Sequence, residues 1–349
     1  MSAQDATLNL KHKFPYRWNL EDGYPAKGIN YHGTTVMTTF ACGGGSTMGY
    51  KLAGYNVIAA NDIDPQMAKV YKANHNPKQF FLCGIKDLLA RDDLPQVDVL
   101  DGSPPCSVFS MAGSRESAWQ KDKMFREGQA KQILDDLFFE FIDLAEKMNP
   151  PIVIAENVKG MLVGNAKWYT REVVRKFNKI GYTCQVFLLN AATMGVPQRR
   201  ERVFFIAHKT DKKLVLNFNE QLIKYKEFKS KPGRKLGMDT MYYQRWLKRI
   251  ATDRSFADIT QRTEGKNIGF TDRFVKDNET PSTITAKNDC LTRFDVPNHI
   301  GKEDACCIGS FPQDYNYSGL QPNYLIGMSV PPVMMAQVAN QVYNQMIRG

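Results

Sequence analysis

The chain has 349 residues and a net charge of +10, and its 43% hydrophobic and 23% charged residues give room for one large globular domain plus a smaller one. No apolar run is long enough to span a bilayer and the N-terminus lacks the apolar stretch of a secretory signal, so we expect a cytosolic protein. The seven cysteines include no C-x-x-C pair and the five histidines are dispersed, which predicts reduced thiols and no metal site.

Strand and helix signals alternate through the first 208 residues. "TTVMTTFA" is β-rich and runs into the glycine-rich "CGGGSTMG", and the next strand, "YNVIAAN", is followed by Asp64 and Pro65, a pair that opens helices. Further strands are predicted at "VDVLD", "PIVIAEN", "CQVFLLN" and "RVFFIAH", with an amphipathic helix at "QAKQILDDLFFEFIDLAEKM". This alternation predicts a parallel, doubly wound α/β sheet with ligands at the carboxyl ends of its strands.

A glycine-rich loop follows the first predicted strand. Gly43, Gly44 and Gly45 precede a helix, where missing side chains let the backbone approach a nucleotide-like ligand. Asp62 ends the second strand roughly 20 residues on, where such folds bind ribose hydroxyls. The glycines alone are equally typical of a tight turn, but together with Asp62 they predict an adenosine-type cofactor.

A cysteine follows the third predicted strand. Cys106 stands in "GSPPCSVFS" behind Pro104 and Pro105, whose rings fix the backbone. We expect this rigid loop to turn the sulfur toward the cleft, with nearby arginines favouring the thiolate. The polar stretch 107–130 has few apolar anchors and is predicted to close over a bound substrate.

Charged residues mark the ends of two further strands. "IVIAENVKG" ends a buried strand with Glu156 and Asn157, where a carboxylate either caps the next segment or points into the cleft. "GVPQRRERVFFIAH" opens a strand with Arg200 and Arg202, which are two residues apart and therefore share a face. For either motif by itself, a cap or a surface charge run is the simpler interpretation.

Cys106, Glu156 and the arginines all fall at strand ends of the same predicted sheet. These are the parts needed to alkylate an electron-poor ring, because C5 of cytosine is too weak a nucleophile until a thiolate adds to C6. A carboxylic acid at ring N3 and an arginine at O2 would stabilise the charge that this addition develops.

The excess positive charge lies mostly beyond the last of these strands. Between Lys209 and Val275 there are 16 Lys and Arg against 8 Asp and Glu, with aromatic residues interleaved in "KYKEFKSKPGRK" and "MYYQRWLKRI". Such a surface suits phosphates and bases, although a solvated basic face is an equal alternative. A helical pattern returns at "PPVMMAQVANQVYNQMIRG", whose apolar face predicts packing on the sheet.

The ordered set of motifs resembles that of the cytosine-C5 DNA methyltransferase family. The resemblance runs from about Thr34 to Ala339 and rests on "FACGGGSTMG", "NDID", "GSPPCSVFS", "AENVKG", "NAATMGVPQRRERVFFIA", "KEDACCIGSFPQDY" and "LIGMSVPPVMMAQVA". It implies a doubly wound mixed α/β sheet of the S-adenosylmethionine-dependent methyltransferase type with a smaller basic target-recognition domain. It also implies S-adenosylmethionine as the methyl donor and double-stranded DNA as the partner, whose cytosine is flipped out of the duplex.

The resemblance implies a role for each motif residue. Cys106 would be the nucleophile, Glu156 would contact N3 and Arg202 would contact O2. Arg200 would support the site or bind a phosphate. The cofactor would lie among Phe40, Gly43, Gly44, Gly45, Asp62, Ile63, Ile85, Pro105 and Ser329, with Phe40 and Ile63 packing on its adenosyl group.

The chain is also predicted to divide into parts, because the alternation of strands and helices breaks after His208 and the apolar face of the C-terminal helix needs cover. Residues 1–30 would be an N-terminal extension, and residues 31–208 plus 318–349 would form the catalytic and cofactor-binding domain. Residues 209–317 would form the small target-recognition domain. We expect a monomer acting in the cytoplasm of a bacterial or phage-infected cell.

Some positions depart from the usual family pattern. Thr38 stands where an Asp is usual, so an acid near the methionine end of the cofactor is missing. Gly84 replaces the usual Asp of Gly-Asp-Ile, so the adenine amino group loses a carboxylate partner. Met328 replaces a usual Asn, and Ser107 follows the nucleophile where Gln is commoner. These changes put the affinity for the cofactor, and its choice, in question.

Other functions fit part of the sequence. A catalytically inactive DNA-binding relative would have little reason to keep Cys106, Glu156 and both arginines. An RNA-directed cytosine-C5 methyltransferase would use the same chemistry, and a variant using a modified S-adenosylmethionine would suit the departures. A nicotinamide oxidoreductase would explain the glycines and Asp62 but not the cysteine and arginines.

Overall fold

The computed structural model describes residues 12–24, 29–105, 137–164, 166–269, 271–287 and 289–348. Cys106 and the polar stretch 107–130 lie outside these ranges, so their predicted roles rest on the sequence. Within the described ranges no helix is long and apolar enough to cross a membrane.

The described ranges contain nine strands and ten α-helices, numbered here in chain order. The strands are β1 Thr35–Thr39, β2 Asn56–Asp62, β3 Gln79–Leu82, β4 Val99–Gly102, β5 Ile152–Val158, β6 Thr183–Asn190, β7 Glu201–His208, β8 Arg273–Val275 and β9 Leu291–Arg293. The helices are α1 Gly45–Leu52, α2 Pro65–His75, α3 Ile85–Leu89, α4 Leu137–Met148, α5 Ala166–Lys179, α6 Met241–Leu247, α7 Phe256–Glu264, α8 Lys302–Gly309, α9 Pro322–Met328 and α10 Pro332–Val342.

The first seven strands form one mixed sheet in the order β3-β2-β1-β4-β5-β7-β6. Strands β3, β2, β1, β4 and β5 are parallel, whereas β7 runs antiparallel to both of its neighbours, β5 and β6. The doubly wound mixed sheet is therefore confirmed, while the wholly parallel sheet expected from the alternation alone is wrong. The edge strand β3 was not predicted, because "QFFL" is too short to show a period.

Alternate residues of the central strands enter two different hydrophobic clusters. Val36, Val99 and Ile154 belong to one cluster, whereas their neighbours Met37 and Leu100 belong to the other. Since side chains of a strand alternate between faces, the clusters lie on opposite faces of the sheet. Burial on both faces explains why these strands read as continuous apolar runs.

The C-terminal helix α10 packs against α1, the helix that follows the glycine loop. Gly49 of α1 has no room for a Cβ, which would meet the Pro332 carbonyl at 2.6 Å and also the Met335 side chain. The Tyr55 hydroxyl donates to the Ala339 carbonyl at 2.8 Å. The last helix is thus held by the same part of the fold that carries the glycine loop.

A third hydrophobic cluster lies apart, within the basic segment. It contains Leu236, Trp246, Phe256, Ile259 and Phe274. Other residues between 209 and 317, among them Tyr225 and Ile300, instead join the main cluster on the sheet. The division at 209 and 317 stays a prediction; the buried residues of the separate cluster lie between 236 and 274, and Phe294 packs against them.

Part of the N-terminal extension is built into the main core. Phe14, Tyr16 and Trp18 are buried in the main cluster. The Trp18 indole N–H donates to the Ser310 carbonyl at 3.1 Å, and the Trp18 carbonyl accepts from the Gln313 N–H at 2.8 Å. Residues 14–18 therefore stabilise the segment that directly follows α8.

Candidate functional site

The carboxyl ends of β1, β2, β4 and β5 lie side by side at one edge of the sheet. β1 pairs with β2 and with β4, and β4 pairs with β5, all in parallel. Phe40 directly follows β1, Asp62 ends β2, Pro105 follows β4 and Glu156 lies near the end of β5. The fold thus brings together four side chains that the sequence analysis assigned to one site.

The glycine loop is anchored to Asp62. One carboxylate oxygen, Oδ2, accepts the Cys42 N–H at 2.7 Å, and the other accepts the Asp64 N–H at 2.8 Å. Burial raises the Asp62 pKa to about 6, although these backbone donors favour the charged form. The loop's backbone has positive φ at Phe40 (51°), Cys42 (48°) and Gly44 (83°), so the carboxylate holds a sharply bent segment in place.

The three loop glycines are required by packing inside the protein. A Cβ on Gly43 would meet the Leu325 side chain at 2.6 Å, and one on Gly44 would collide with the His75 ring. A Cβ on Gly45 would collide with the Val330 carbonyl. From the sequence, the missing side chains were expected to make room for a ligand, but their space is occupied by side chains of α2 and α9 and by the segment between α9 and α10.

His75 and Tyr315 support this loop and were not found from the sequence. Burial lowers the His75 pKa to about 3, so the ring is neutral at physiological pH, and its Nε2 lies 3.1 Å from the Tyr315 hydroxyl. That hydroxyl donates to the Gly43 carbonyl. Tyr315 belongs to "FPQDY", a quoted motif to which no role was assigned.

A partly exposed surface lies at the end of β2, where Ile63 and Gly84 are both accessible to solvent. Gly84 has extended backbone (φ −66°, ψ 161°), and a Cβ there would meet nothing closer than Asp87 Oδ2 at 3.4 Å and Ile63 Cδ1 at 3.6 Å. Ile85, the next residue, is buried. Apolar side chains that can pack on a flat ring lie beside the Asp62 carboxylate at the strand end. Together these groups fit an adenosyl group.

Glu156 and Arg202 form an ion pair at the end of β5. Arg202 Nε lies 2.9 Å from Glu156 Oε1, and the two side chains are only 15% and 11% exposed. Burial lowers the Arg202 pKa from its usual value, while the Glu156 charge and hydrogen bond raise it. A carboxyl group and a guanidinium are therefore held together, each orienting the other.

Arg200 has a different environment from Arg202. Its guanidinium donates to the carbonyls of Ile284 at 3.1 Å and of Gly327 and Ser329 at 3.0 Å each. Arg200 is 3% exposed, and burial lowers its pKa well below the usual value. Such a guanidinium fixes protein backbone and is too buried to reach a DNA phosphate, the second of the roles expected for it.

Ser329 is held by this arginine next to the glycine loop. Its hydroxyl donates to the Leu325 carbonyl at 2.8 Å. The Ser329 Cβ lies 3.0 Å from where a Cβ on Gly45 would stand. Met328 beside it is 40% exposed. Arg200 thus fixes the segment between α9 and α10 in contact with the loop.

Asn157 ties the end of β5 to the loop that leads to Cys106. Its Nδ2 donates to the Pro104 carbonyl at 3.0 Å, and its Oδ1 accepts the Val158 N–H at 2.9 Å. Pro104 is two residues from the cysteine. The described part of this loop is therefore fixed to the strand that carries Glu156.

Asp101, near the end of β4, is a buried carboxyl group to which the sequence analysis gave no role. It is 2% exposed, and its Oδ1 accepts the Tyr50 hydroxyl at 3.1 Å. Burial raises its pKa to about 8 and the nearby Glu156 adds to this shift, although hydrogen bonds from Tyr50 and Ser46 oppose it. Thr38 of β1 stands directly opposite Asp101 in the strand register. Paired residues share a face, so an acid lies beside Thr38, the position where the chain lacks the family's usual Asp.

The raised pKa of Asp101 predicts a fall in stability with rising pH. An unfolded Asp ionises near pH 3.8 and the folded one near pH 8, so between these values the folded chain holds the extra proton. The contribution of Asp101 to the free energy of unfolding is complete below the unfolded pKa of 3.8 and is lost as pH rises through the folded pKa of about 8. Asp62, with its pKa raised to about 6, acts in the same direction.

Asp101→Asn should therefore become more stable than the wild type as pH increases. We expect a difference in the free energy of unfolding that grows by on the order of 3 kcal/mol between pH 5 and pH 8. Urea unfolding at both pH values measures it, and the comparison at pH 5 is the internal control. Parallel stability curves for the two proteins would contradict the raised pKa.

Arg245, Arg249 and Arg254 of the basic segment are candidates for contacts with guanine bases, and the structure shows that their guanidinium groups are not equally available. Arg245 is paired with Glu264 at 3.2 Å, and the Arg249 guanidinium lies 3.3 Å from the Trp246 ring centroid and donates to the Phe294 carbonyl at 2.7 Å. Arg254 is exposed. The first two guanidinium groups therefore stabilise the small cluster, and Arg254 remains the better candidate for a base contact.

The C-5 cytosine-specific DNA methylase family model matches residues 34–344. The chain therefore belongs to this family, whose methyl donor is S-adenosylmethionine. The match contains every described residue of the site above.

Relatives and solved structures agree with this assignment. The type II methyltransferase M.FnuDI of Fusobacterium nucleatum is 32% identical over 176 residues, which are 50% of this chain and 47% of that protein. The type II methyltransferase M.DdeI of Desulfomicrobium norvegicum is 34% identical over 195 residues, which are 54% of this chain and 43% of that protein. The chain thus spans about half the length of the curated relatives it matches.

The fold is also found in a crystal structure. It is similar to a protein described as a DNA modification methyltransferase encoded within an E. coli prophage. The TM-score is 0.63 at 17% sequence identity, and the alignment covers 90% of this chain and 99% of that one. At this identity the likeness shows the shared α/β fold alone.

Proposed function

We propose that this chain transfers a methyl group from S-adenosylmethionine to C5 of cytosine in double-stranded DNA. The observation that carries the proposal is the buried ion pair of Glu156 and Arg202, with Nε and Oε1 2.9 Å apart. It lies on the strand whose Asn157 holds the Pro104 carbonyl, two residues before Cys106. A nucleophile, an acid and a cation at one strand edge are what addition to a cytosine ring requires.

The Cys106 thiolate attacks C6 of the cytosine, and the C5–C6 double bond shifts its electrons toward N3. Glu156, acting as the carboxylic acid, gives N3 a proton, while Arg202 donates hydrogen bonds to O2. C5, made nucleophilic by the addition, takes the methyl group; a base then removes the C5 proton, the C6–S bond breaks and N3 returns its proton to Glu156. The addition and the elimination therefore balance, and both Cys106 and Glu156 are unchanged after each turnover.

S-adenosylmethionine supplies an electrophilic methyl group on a sulfonium that leaves as a neutral thioether. Asp62 would bind its ribose hydroxyls, with Phe40, Ile63 and Ile85 around the adenine. The glycine loop, held by Tyr315, Arg200 and Asp62, would keep the methionine end in place. Pro105 and Ser329 would complete this pocket.

DNA would lie against the basic segment while the cytosine leaves the duplex, since the ring cannot reach a strand-edge cysteine within a base pair. In this proposal residues 209–317 act as the target-recognition part, and the stretch 107–130 closes over the extruded base. The active unit is a monomer.

Nucleoside analysis tests the function. Purified protein is incubated with S-adenosylmethionine and either unmethylated genomic DNA or total RNA, and the digested nucleosides are measured by mass spectrometry. We expect 5-methyldeoxycytidine from DNA, and sequencing of the modified sites then reports the target. Methylation of RNA alone, or of neither, would refute the proposal.

DNA affinity should depend steeply on salt if lysines of the basic segment meet phosphates. Lys248→Ala should weaken binding to all sequences alike and reduce the slope of log affinity against log salt by about 0.9. Lys179→Ala, an exposed lysine at the end of α5, is the matched control and should leave the slope unchanged. Equal slopes for both variants and the wild type would mean that the Lys248 ammonium contacts solvent and no DNA phosphate.

A further inference from the structure

A carboxylate borders the partly exposed surface at Gly84 and has no part in the reaction proposed above. Asp87 Oδ2 lies 3.4 Å from where a Cβ on Gly84 would stand, and Ile63 Cδ1 lies 3.6 Å from the same point. Asp87 is exposed, in the first turn of α3. Within the described ranges its carboxylate has no hydrogen bond or ion pair, so both oxygens are free to accept.

The surroundings of this carboxylate suit one edge of an adenine ring. Ile63, which is partly exposed, provides an apolar contact for a flat heterocycle, and Gly84 has no side chain that would cover the Asp87 carboxylate. A carboxylate only accepts hydrogen bonds, so the group that meets it must be a donor. The exocyclic amino group of adenine is such a donor, whereas the carbonyl oxygen of hypoxanthine at the same position is not.

We propose that Asp87 accepts a hydrogen bond from the adenine amino group of the bound cofactor. Asp87 lies in the first turn of α3, three residues after Gly84, and its carboxylate would take the role of the Asp that the family usually has at position 84. This inference rests on the proposed function, because it concerns the donor site of that same reaction.

Glu140 is the other carboxylate near α3. Its Oε1 pairs with Lys86 at 3.1 Å, while its Oε2 is buried and has no hydrogen-bond partner among the described residues. An oxygen sealed from solvent is closed to a ligand that binds at this surface, whereas the exposed Asp87 is accessible. The geometry therefore favours Asp87.

Calorimetric binding of two ligands tests the assignment. S-adenosylhomocysteine carries the amino group, and S-inosylhomocysteine carries a carbonyl oxygen in its place. We expect the wild type to prefer the adenosyl ligand by about tenfold or more, the usual value of a hydrogen bond to a charged group. Asp87→Ala should lose about tenfold in affinity for the adenosyl ligand and bind the inosyl ligand no more weakly than the wild type does.

Two further variants separate ligand contact from a structural role in α3. Asp92→Ala removes an exposed carboxylate nearby and should keep the wild-type preference. Gly84→Asp combined with Asp87→Ala should restore the preference, because position 84 has extended backbone and ordinary van der Waals room for a side chain. If Asp87 only stabilised α3, Asp87→Ala would lower the affinity for both ligands, and adding Gly84→Asp would not restore the preference for the adenosyl ligand.

The outcomes distinguish this inference from the proposed function. A wild type that binds neither ligand would refute the donor site and the proposed function with it. If the wild type binds S-adenosylhomocysteine but Asp87→Ala keeps the full preference, Asp87 is not the acceptor and the proposed function stands. Loss of the preference in Glu140→Gln alone would assign the contact to Glu140 and overturn the inference.

Discussion

Replacing Cys106 with serine is expected to reduce methyl transfer below detection while DNA and cofactor still bind. A serine hydroxyl is far less acidic and less nucleophilic than a thiol, so the addition to C6 does not start. Initial rates of methyl incorporation under saturating DNA and S-adenosylmethionine measure the effect, and gel-shift binding verifies that the variant still holds its substrate.

Cys184→Ser is the matched control for that experiment. Burial raises the pKa of the Cys184 thiol to about 12, so this group carries no thiolate at neutral pH. The control should keep wild-type activity. Substantial methyl transfer by Cys106→Ser would remove the cysteine from the reaction.

Glu156→Gln is expected to lower the turnover rate by a factor on the order of 10² to 10⁴, the usual effect of removing a positioned general acid. Glutamine keeps the size of the side chain but cannot give N3 a proton. It also leaves the largely buried Arg202 guanidinium without its carboxylate, which destabilises the fold as well. Thermal unfolding must therefore be measured beside the rate, and the rate taken well below the midpoint.

Glu201→Gln provides the comparison, since Glu201 pairs with Lys159 at 2.8 Å and its side chain is 43% exposed. This surface pair is expected to contribute little, so the rate should stay within about twofold of the wild type. Equal rates for Glu156→Gln and Glu201→Gln would mean that the buried carboxyl group has no part in proton transfer.

The strands of the sheet were predictable because each is a local signal. Their apolar runs and turn residues lie within a few positions of one another, and six of the seven were located. Glu156 and Arg202 could be placed at strand ends for the same reason. That they face each other depends on β7 running antiparallel to β5, which the alternation of strands and helices alone did not predict.

The supports of the site could not be predicted, because they come from distant parts of the chain. His75 and Tyr315 are 240 positions apart, and Arg200 reaches carbonyls more than 80 residues away. Asp101 was not predicted as a site residue, because the sequence around it has the pattern of an ordinary buried strand. Its position opposite Thr38 exists only in the strand register.

The most direct test of the account is covalent capture by DNA in which 5-fluorodeoxycytidine replaces deoxycytidine. Fluorine cannot leave C5 as the proton does, so the elimination that frees the cysteine is blocked. With S-adenosylmethionine present, we predict an adduct that survives denaturing electrophoresis, with the linked peptide identified by mass spectrometry as the one containing Cys106. No adduct from protein that demonstrably methylates ordinary DNA, or an adduct at another cysteine, would contradict attack by Cys106.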